Sequence, residues 1–449
     1  MNHIAKIFAV FLRGITVRAV RSEKGISLIT AIFMGLILSS VGYVTLHEVV
    51  TELKMTGAEA LSVQAYWLAE AGMERSFRYL RLADPPPGGI SPFVYLNNEA
   101  AGSGRITVTI DPDDNNPGTY LKRYKITSVG QVGEVTRTLQ AFVRTSTFGK
   151  YAYLSGDEGG TIWFTTGDLI EGPLHSNDQI SITGSPVFKG KVTSSASSFN
   201  RGGSFNPDFQ QGYHLGVPQV RFPNLQNIID NYMLENGNSS PLTIDARFNR
   251  DAKITFRQDG TFIYSVWRYN WWGQKIYLVK DQVVNIGSLN GMLLVKGDVR
   301  IKGVMKGQLT LVATDNVYIM DDLVYANSDA NGKPDPNSND MLGLVSTKNI
   351  IVADTQPNRD NVRINGALLA LGTSFTVQHY YSGSPRGYLT LYGSLSQKVR
   401  GPVGTFNSWG IQSGYSKDYH YDTRFARISP PYFPITGQYE VYSWREVEQ

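Results

Sequence analysis

Between Gly25 and Leu46 the chain carries 22 residues in a row without a charge, inside a stretch that contains no proline before Pro85. About 20 apolar residues are what a helix needs to cross the hydrocarbon of a bilayer. A buried core helix is the competing reading, but helices of soluble proteins seldom stay uncharged for this long. The flank sets a direction. Lys6, Arg13, Arg18, Arg21 and Lys24 precede the run against a single acid, Glu23. By the positive-inside rule the amino terminus stays cytoplasmic and the large carboxyl-terminal part is exported. A cleaved secretory signal fits less well: the run is too long, and no small-x-small site follows it before Glu48.

The helical pattern continues past the apolar run. Leu46, Val50, Leu53, Gly57, Leu61, Ala65, Leu68 and Gly72 recur at spacings of three and four, a stripe along one helix face. Pro85-Pro86-Pro87-Gly88-Gly89 is the stop signal. A straight helix from Ile26 to Leu82 would be about 85 Å long, of which only about 30 Å fits in hydrocarbon. The remainder must pack on its own domain or on neighbouring chains. Gly35, Gly42, Gly57 and Gly72 each cost on the order of 1 kcal/mol of helix stability relative to Ala. They permit close helix contacts or local bending, or are incidental.

Beyond the glycine block the period changes to two. Residues 105–111, 120–130 and 135–144 read as strands of a small antiparallel sheet that packs on the helix stripe. After Phe148, short apolar segments recur with Gly and Asn corners, every ten to twenty residues between about 285 and 400. The 45 glycines and 20 prolines suit so many turns. Such spacing means a sandwich, a barrel or a β-solenoid, and the very short strands, small corners and absent helical crossovers favour the solenoid. One helix is expected around 222–237. The fold class is therefore α+β: a long amino-terminal transmembrane helix, a small antiparallel sheet, then a large β head of solenoid type. The expected divisions are a leader at 1–25, the helix at 26–84, the small sheet at 85–148, the head at 149–408, and a Tyr- and Pro-rich tail at 409–449 that caps it.

Little in the sequence points to catalysis. There is no cysteine, which excludes disulfides, thiol nucleophiles and cysteine-held metals. His175 is the best candidate for acid–base work, although a structural turn role is the simpler reading, since a lone His beside turn formers needs no other explanation. The pairs Asp157-Glu158 and Asp321-Asp322 suggest a polysaccharide-cleaving dyad, but neighbours in a strand point to opposite faces, and solvated turn acids are the simpler reading. Asp111, Asp113 and Asn115, and likewise Asp335, Asn337 and Asn339, alternate oxygen ligands as calcium loops do, without the Gly and Glu positions of an EF-hand loop. The densest aromatic cluster runs from Trp267 to Trp272; sugar or partner stacking competes there with core or edge packing. No phosphate loop or nucleophile elbow occurs. The expectation is a non-enzymatic protein with no metal site and no cofactor.

Several motifs carry a family resemblance. Lys24-Gly25-Ile26-Ser27-Leu28, after a basic leader and opening an uncharged run, resembles a type IV prepilin processing site. The stretch Gln64 to Arg78 is similar to the end of the long helix in PilX-type minor pilins and in the tip pseudopilin of type II secretion. Tyr124 to Arg144 resembles the β-hairpin of PilX-type minor pilins. Together the resemblance covers about residues 20–145. It implies that a prepilin peptidase cuts after Gly25 and methylates Ile26, and that the helix, with Ser27, Leu28 and Thr30 near its start, then packs among other pilin subunits. Two positions depart from the family pattern: Ile26 stands where Phe or Met is commoner, and Thr30 where Glu is usual. Several tip subunits share the second departure, which favours a minor or tip subunit over a bulk pilin. Segments 171–179 and 400–404 further resemble a domain of unknown function found in large bacterial pilin-like proteins, in keeping with a boundary near 149.

The function this implies is a minor pilin or pseudopilin, stored in the cytoplasmic membrane and built into a fibre, with the head displayed at the cell surface for a carbohydrate or other surface ligand. The alternative is a membrane-anchored β-solenoid enzyme or adhesin acting on polysaccharide. The formal net charge of +4 does not argue for nucleic acid as a partner. Removing residues 1–25 takes away five bases and one acid, leaving 37 of each.

Overall fold

The structure, a computed structural model, describes residues 26–83, 87, 91–112, 121–407 and 410–447. Lys24, Gly25, Asp113, Asn115 and Trp409 lie outside the described residues. Helix α1 runs from Ile26 to Leu82, 57 residues, and ends just ahead of the proline block.

Strands β1 (Phe93–Ala101), β2 (Gly104–Pro112), β3 (Arg123–Val132) and β4 (Val135–Thr147) follow in antiparallel order. In β2 and β3 alternate residues are buried, as the period of two requires. Ile106, Val108, Ile110, Tyr124 and Ile126 thus face the carboxyl-terminal half of α1 and form one core with Ala69, Met73 and Leu80. β1 is an addition to the sequence reading. Its segment FVYLNNEAA buries only Leu96, because it is the sheet's edge, and two register shifts interrupt its pairing with β2. Tyr79 stacks on Tyr95 at 4.6 Å between ring centroids and fixes it to the helix.

The chain then leaves for a large mixed β region and returns. Its final strand, Ile435–Val447, pairs antiparallel with β4, so the small sheet has five strands in the order β1, β2, β3, β4, then 435–447. The carboxyl-terminal stretch, read from its Tyr and Pro content as a cap, supplies strands at both ends: Gly410–Tyr421 lies parallel to Pro385–Val399 in the large region. Only between them do Phe425 and Phe433 lie buried against the large region. The segment ITGQYEVYSWREV alternates apolar and polar residues and is a strand by that pattern.

Within the large region, ten strands stand side by side, each parallel to the next. In spatial order they begin at Leu242–Ala246, Met292–Gly297, Gln308–Ala313, Met341–Ser346 and Val362–Ala370. Pro385–Val399, Tyr153–Asp157, Leu174–Ser176, Val192–Ser194 and Tyr213–Leu215 complete the row. At about 4.8 Å per step the row is about 43 Å long. A second parallel row joins Arg250–Phe256, Val299–Met305, Val317–Tyr325, Ile350–Val352 and Phe375–Val377.

The chain enters this stack in its middle. It builds outward to Tyr213–Leu215, crosses back through helix α2 (Leu225–Glu235), and fills the other half on its return. Asn224 caps α2 by accepting from the Asn227 amide at 2.8 Å. One apolar core lies inside the stack. A second lies outside the longer row, where Phe148, Tyr232 of α2, Phe425 and Phe433 cover Met292, Leu294, Val312 and Val345. Strands covered on both faces need apolar side chains at successive positions, which is why MLLVKG, QLTLVA and MLGLVS do not alternate.

Candidate assembly surface

The two halves of α1 differ in what surrounds them. Against the sheet, Ala65, Ala69, Met73 and Leu80 are buried. The approach is close enough to require small residues: a Cβ on Gly130 would stand 2.0 Å from the Ala65 carbonyl oxygen and 2.5 Å from the Ala69 nitrogen. One on Gly72 would stand 2.3 Å from Ser128 Oγ. Ser128 Oγ donates to the Ala69 carbonyl at 2.7 Å, a bond that ties sheet to helix inside the core. Arg137 binds Ser62 Oγ at 2.7 Å and also pairs with Glu446, so the returning strand is anchored to the helix as well. Arg75 pairs with Glu99 at 2.7 Å on the opposite edge.

From Ser27 to Leu61 nothing covers the helix. Leu28, Phe33, Leu36, Leu38, Leu46, Leu53 and Met55 are each more than half exposed. Among the described residues this is the one helix long and apolar enough to cross a membrane, and none of its apolar window is buried. Ser40 and Thr45 donate to carbonyls one turn back, at 2.8 and 3.1 Å, so neither hydroxyl is left unpaired in an apolar setting. Gly35, Gly42 and Gly57 have no neighbour within 4 Å where a Cβ would stand. The stripe read from the sequence therefore divides: Ala65, Leu68 and Gly72 meet the chain's own sheet, Leu46, Val50, Leu53 and Gly57 stand exposed, and Leu61, at 38% exposure, marks the boundary. Contiguous exposed apolar surface of this extent marks a membrane or protein contact. Ser27, Leu28 and Thr30 all lie on this bare half.

The remaining sequence candidates are dispersed. His175 is buried, with Nδ1 2.9 Å from Thr193 Oγ1 and Nε2 2.9 Å from Asn177 Oδ1. Burial lowers its pKa from the ordinary imidazole value. It is a packed member of the parallel row, opposite Thr193, without access to a substrate. The pair Asp157-Glu158 splits. Asp157 turns outward and caps the Gly159 amide at 2.7 Å. Glu158 is not the solvated turn acid expected: it is 1% exposed and pairs with Arg400 at 2.8 Å, while Ser176 Oγ donates to it at 2.8 Å. Sequence reasoning missed this pair because its partners lie 242 residues apart along the chain, Glu158 in a candidate acid pair and Arg400 in the segment 400–404, with nothing local to join them. Asp321 and Asp322 pair separately, with Lys302 at 3.0 Å and with Arg363 Nε at 2.9 Å.

Asp335 caps the Asn337 amide, an ordinary loop role. Asp111 lies 3.5 Å from Lys125. Among the described residues no group of three or more His, Asp or Glu is placed to hold a metal ion. The aromatic cluster also divides: Trp267 is 5% exposed, whereas Trp271 and Trp272 are 94% and 79% exposed.

Comparison with known proteins gives limited likenesses. Residues 119–197 match a family described as Domain of unknown function (DUF4900), a span that contains 171–179 but not 400–404 and runs from β3 into the large region. Among solved structures the chain is similar to the competence-associated pilin ComZ from Thermus thermophilus, at 15% identity and a TM-score of 0.35, over 86% of this chain and 97% of that one. No curated protein matches the sequence.

Proposed function

We propose that this chain is a pilin-like subunit: a non-enzymatic protein held in the cytoplasmic membrane by α1 and transferred from there into a fibre, with its β region outward. The observation that carries this is the division of α1. One continuous helix packs its second half on its own sheet and leaves Ser27–Leu61 bare, and only about the first 20 residues of that half fit in hydrocarbon. Burial against the equivalent helices of other subunits replaces lipid around the first part and water around the second. Apolar area removed from water stabilises such contacts at about 25 cal/mol per Å².

Processing completes the reading. A prepilin peptidase cuts after Gly25, with Lys24 on the leader side, and Ile26 becomes the methylated first residue. Ser27, Leu28 and Thr30 then lie in the assembly helix, and Thr30, lacking the usual carboxylate, suits a minor or tip position of the PilX type. The head, residues 149–408, is a β-solenoid in this reading. The two parallel rows and the apolar core between them support that, with the short returning strands as its rungs.

Amino-terminal mass analysis of the protein extracted from membranes or fibres tests the proposal. It should find a methylated start at Ile26. An intact start at Met1 would sink the processing step and leave α1 an anchor only.

A further inference from the structure

The second parallel row does not end at Arg250–Phe256. Two antiparallel strands, Thr261–Tyr269 and Lys275–Asn285, extend it and project a hairpin past the end of the core. At its tip stand Trp271 and Trp272, 94% and 79% exposed. A large indole left in water on an otherwise folded protein requires an explanation, and two adjacent ones more so.

The tip is built, not loose. Asn270 accepts at Oδ1 from the amides of Trp272 and Gln274, at 3.0 and 2.8 Å. Its own amide donates to the Gln274 carbonyl at 2.9 Å, and Gly273 closes the turn at φ +72. The loop is thus held in the shape that presents both rings outward, which lowers the entropic cost of docking them. Trp267, on the same hairpin, does the structural work instead: it is buried with the Lys275 ammonium 3.6 Å above its ring.

Strand addition by a second chain is disfavoured at this edge. The pairing slips twice between Tyr264 and Trp267, and Asp281 adopts φ +50 with its carboxylate and amide both bound to Ser265 Oγ. Such bulges and edge charges are devices against edge pairing. What remains is a convex, apolar tip set in positive charge. From Gly260 to Lys280 there are three bases, Arg268, Lys275 and Lys280, all exposed, and no acid. The three strands from Arg250 to Asn285 hold six bases and three acids, so the rest of residues 26–449 has 31 bases and 34 acids.

We propose that this hairpin docks the head on an anionic lipid bilayer distinct from the one that holds α1. Trp271 and Trp272 enter the interfacial layer, where indoles prefer to lie, and Arg268, Lys275 and Lys280 meet the headgroups. A second bilayer is the occupant because the helix carries its bare half well beyond the membrane run, and the hairpin lies at the far end of the strand stack. Six steps of the longer row, about 29 Å, separate Tyr153–Asp157, where the stack joins the small sheet, from Leu242–Ala246. The proposal does not depend on cleavage after Gly25.

The test uses the full chain in nanodiscs of neutral phosphatidylcholine, which occupy α1, floated with separate vesicles. Vesicles containing phosphatidylglycerol should carry the protein up the gradient, and pure phosphatidylcholine vesicles should bind about a hundredfold more weakly, since three cations lose their partners. The double variant W271A/W272A should melt like the wild type and bind the anionic vesicles at least about tenfold more weakly. Equal binding by the wild type and the double variant would overturn the proposal. So would failure of the wild type to bind vesicles, including the case in which it binds an acidic polysaccharide or single-stranded nucleic acid instead.

Discussion

Arg400 and Glu158 meet where the chain's first strand in the large region is inserted beside its later return, at the splice between Tyr153–Asp157 and Pro385–Val399. Both are buried, Arg400 at 3% and Glu158 at 1% exposure. Arg400 also donates to the Ile162 carbonyl at 2.9 Å and lies 3.9 Å over the Phe164 ring. Arg400→Met keeps most of the side-chain volume and removes the charge, leaving the Glu158 carboxylate hydrogen-bonded only by the hydroxyls of Ser155 and Ser176. Breaking a buried pair in this way costs about 3–5 kcal/mol. A unit of about 270 residues has an unfolding entropy near 0.57 kcal/mol/K, so the melting temperature should fall by about 5–9 °C. The assay is near-ultraviolet circular dichroism of the full chain in detergent, heated at fixed rate. The double variant Arg400→Met/Glu158→Met removes the stranded charge and should melt at or above the wild type. If Arg400→Met melts within about 2 °C of the wild type, or the double variant melts below the single one, the pair does not hold the splice as described.

Two further outcomes follow from burial and approach. Because the folded pKa of His175 lies below the ordinary 6.5, the unfolded chain takes up a proton there more readily than the folded one. Stability is therefore lost as pH falls from above 6.5 toward the depressed folded value, and His175→Gln should flatten the fall in melting temperature between pH 7.5 and 5. Gly130→Ala should destabilise by about 1–3 kcal/mol, since backbone atoms of α1 occupy the Cβ position, whereas Gly57→Ala, with open space around it, should be neutral or stabilising by up to about 1 kcal/mol. Thermal melts of the two variants, compared side by side, check both signs.

The helix was legible because its signals are local: the uncharged run, the spacing of three and four, and the proline block bound it at Ile26 and Leu82. The small sheet was legible where one face is buried, as in β2 and β3, and illegible in β1, an edge strand with one buried residue. The parallel order of the large region left little trace. Several strands of its longer row, such as Met292–Gly297, Gln308–Ala313 and Met341–Ser346, are apolar on both faces, so period two disappears there, and the row's spatial order departs from chain order at the central splice. The role of Glu158 depended on a partner supplied by the return of the chain. For Trp267, Trp271 and Trp272 composition marked the cluster, but only the hairpin geometry separates the buried ring from the two exposed ones.

The most direct measurement asks what covers the bare half of α1. The sequence has no cysteine, so Leu53→Cys gives a single attachment point for a photoreactive group. Leu53 is 68% exposed and lies about 10 Å along the helix beyond Leu46, past the apolar run. Irradiation of assembled fibres should join it to a second polypeptide through that chain's own amino-terminal helix. Adducts only with water or lipid, with the protein confined to the membrane fraction, would contradict assembly through this helix.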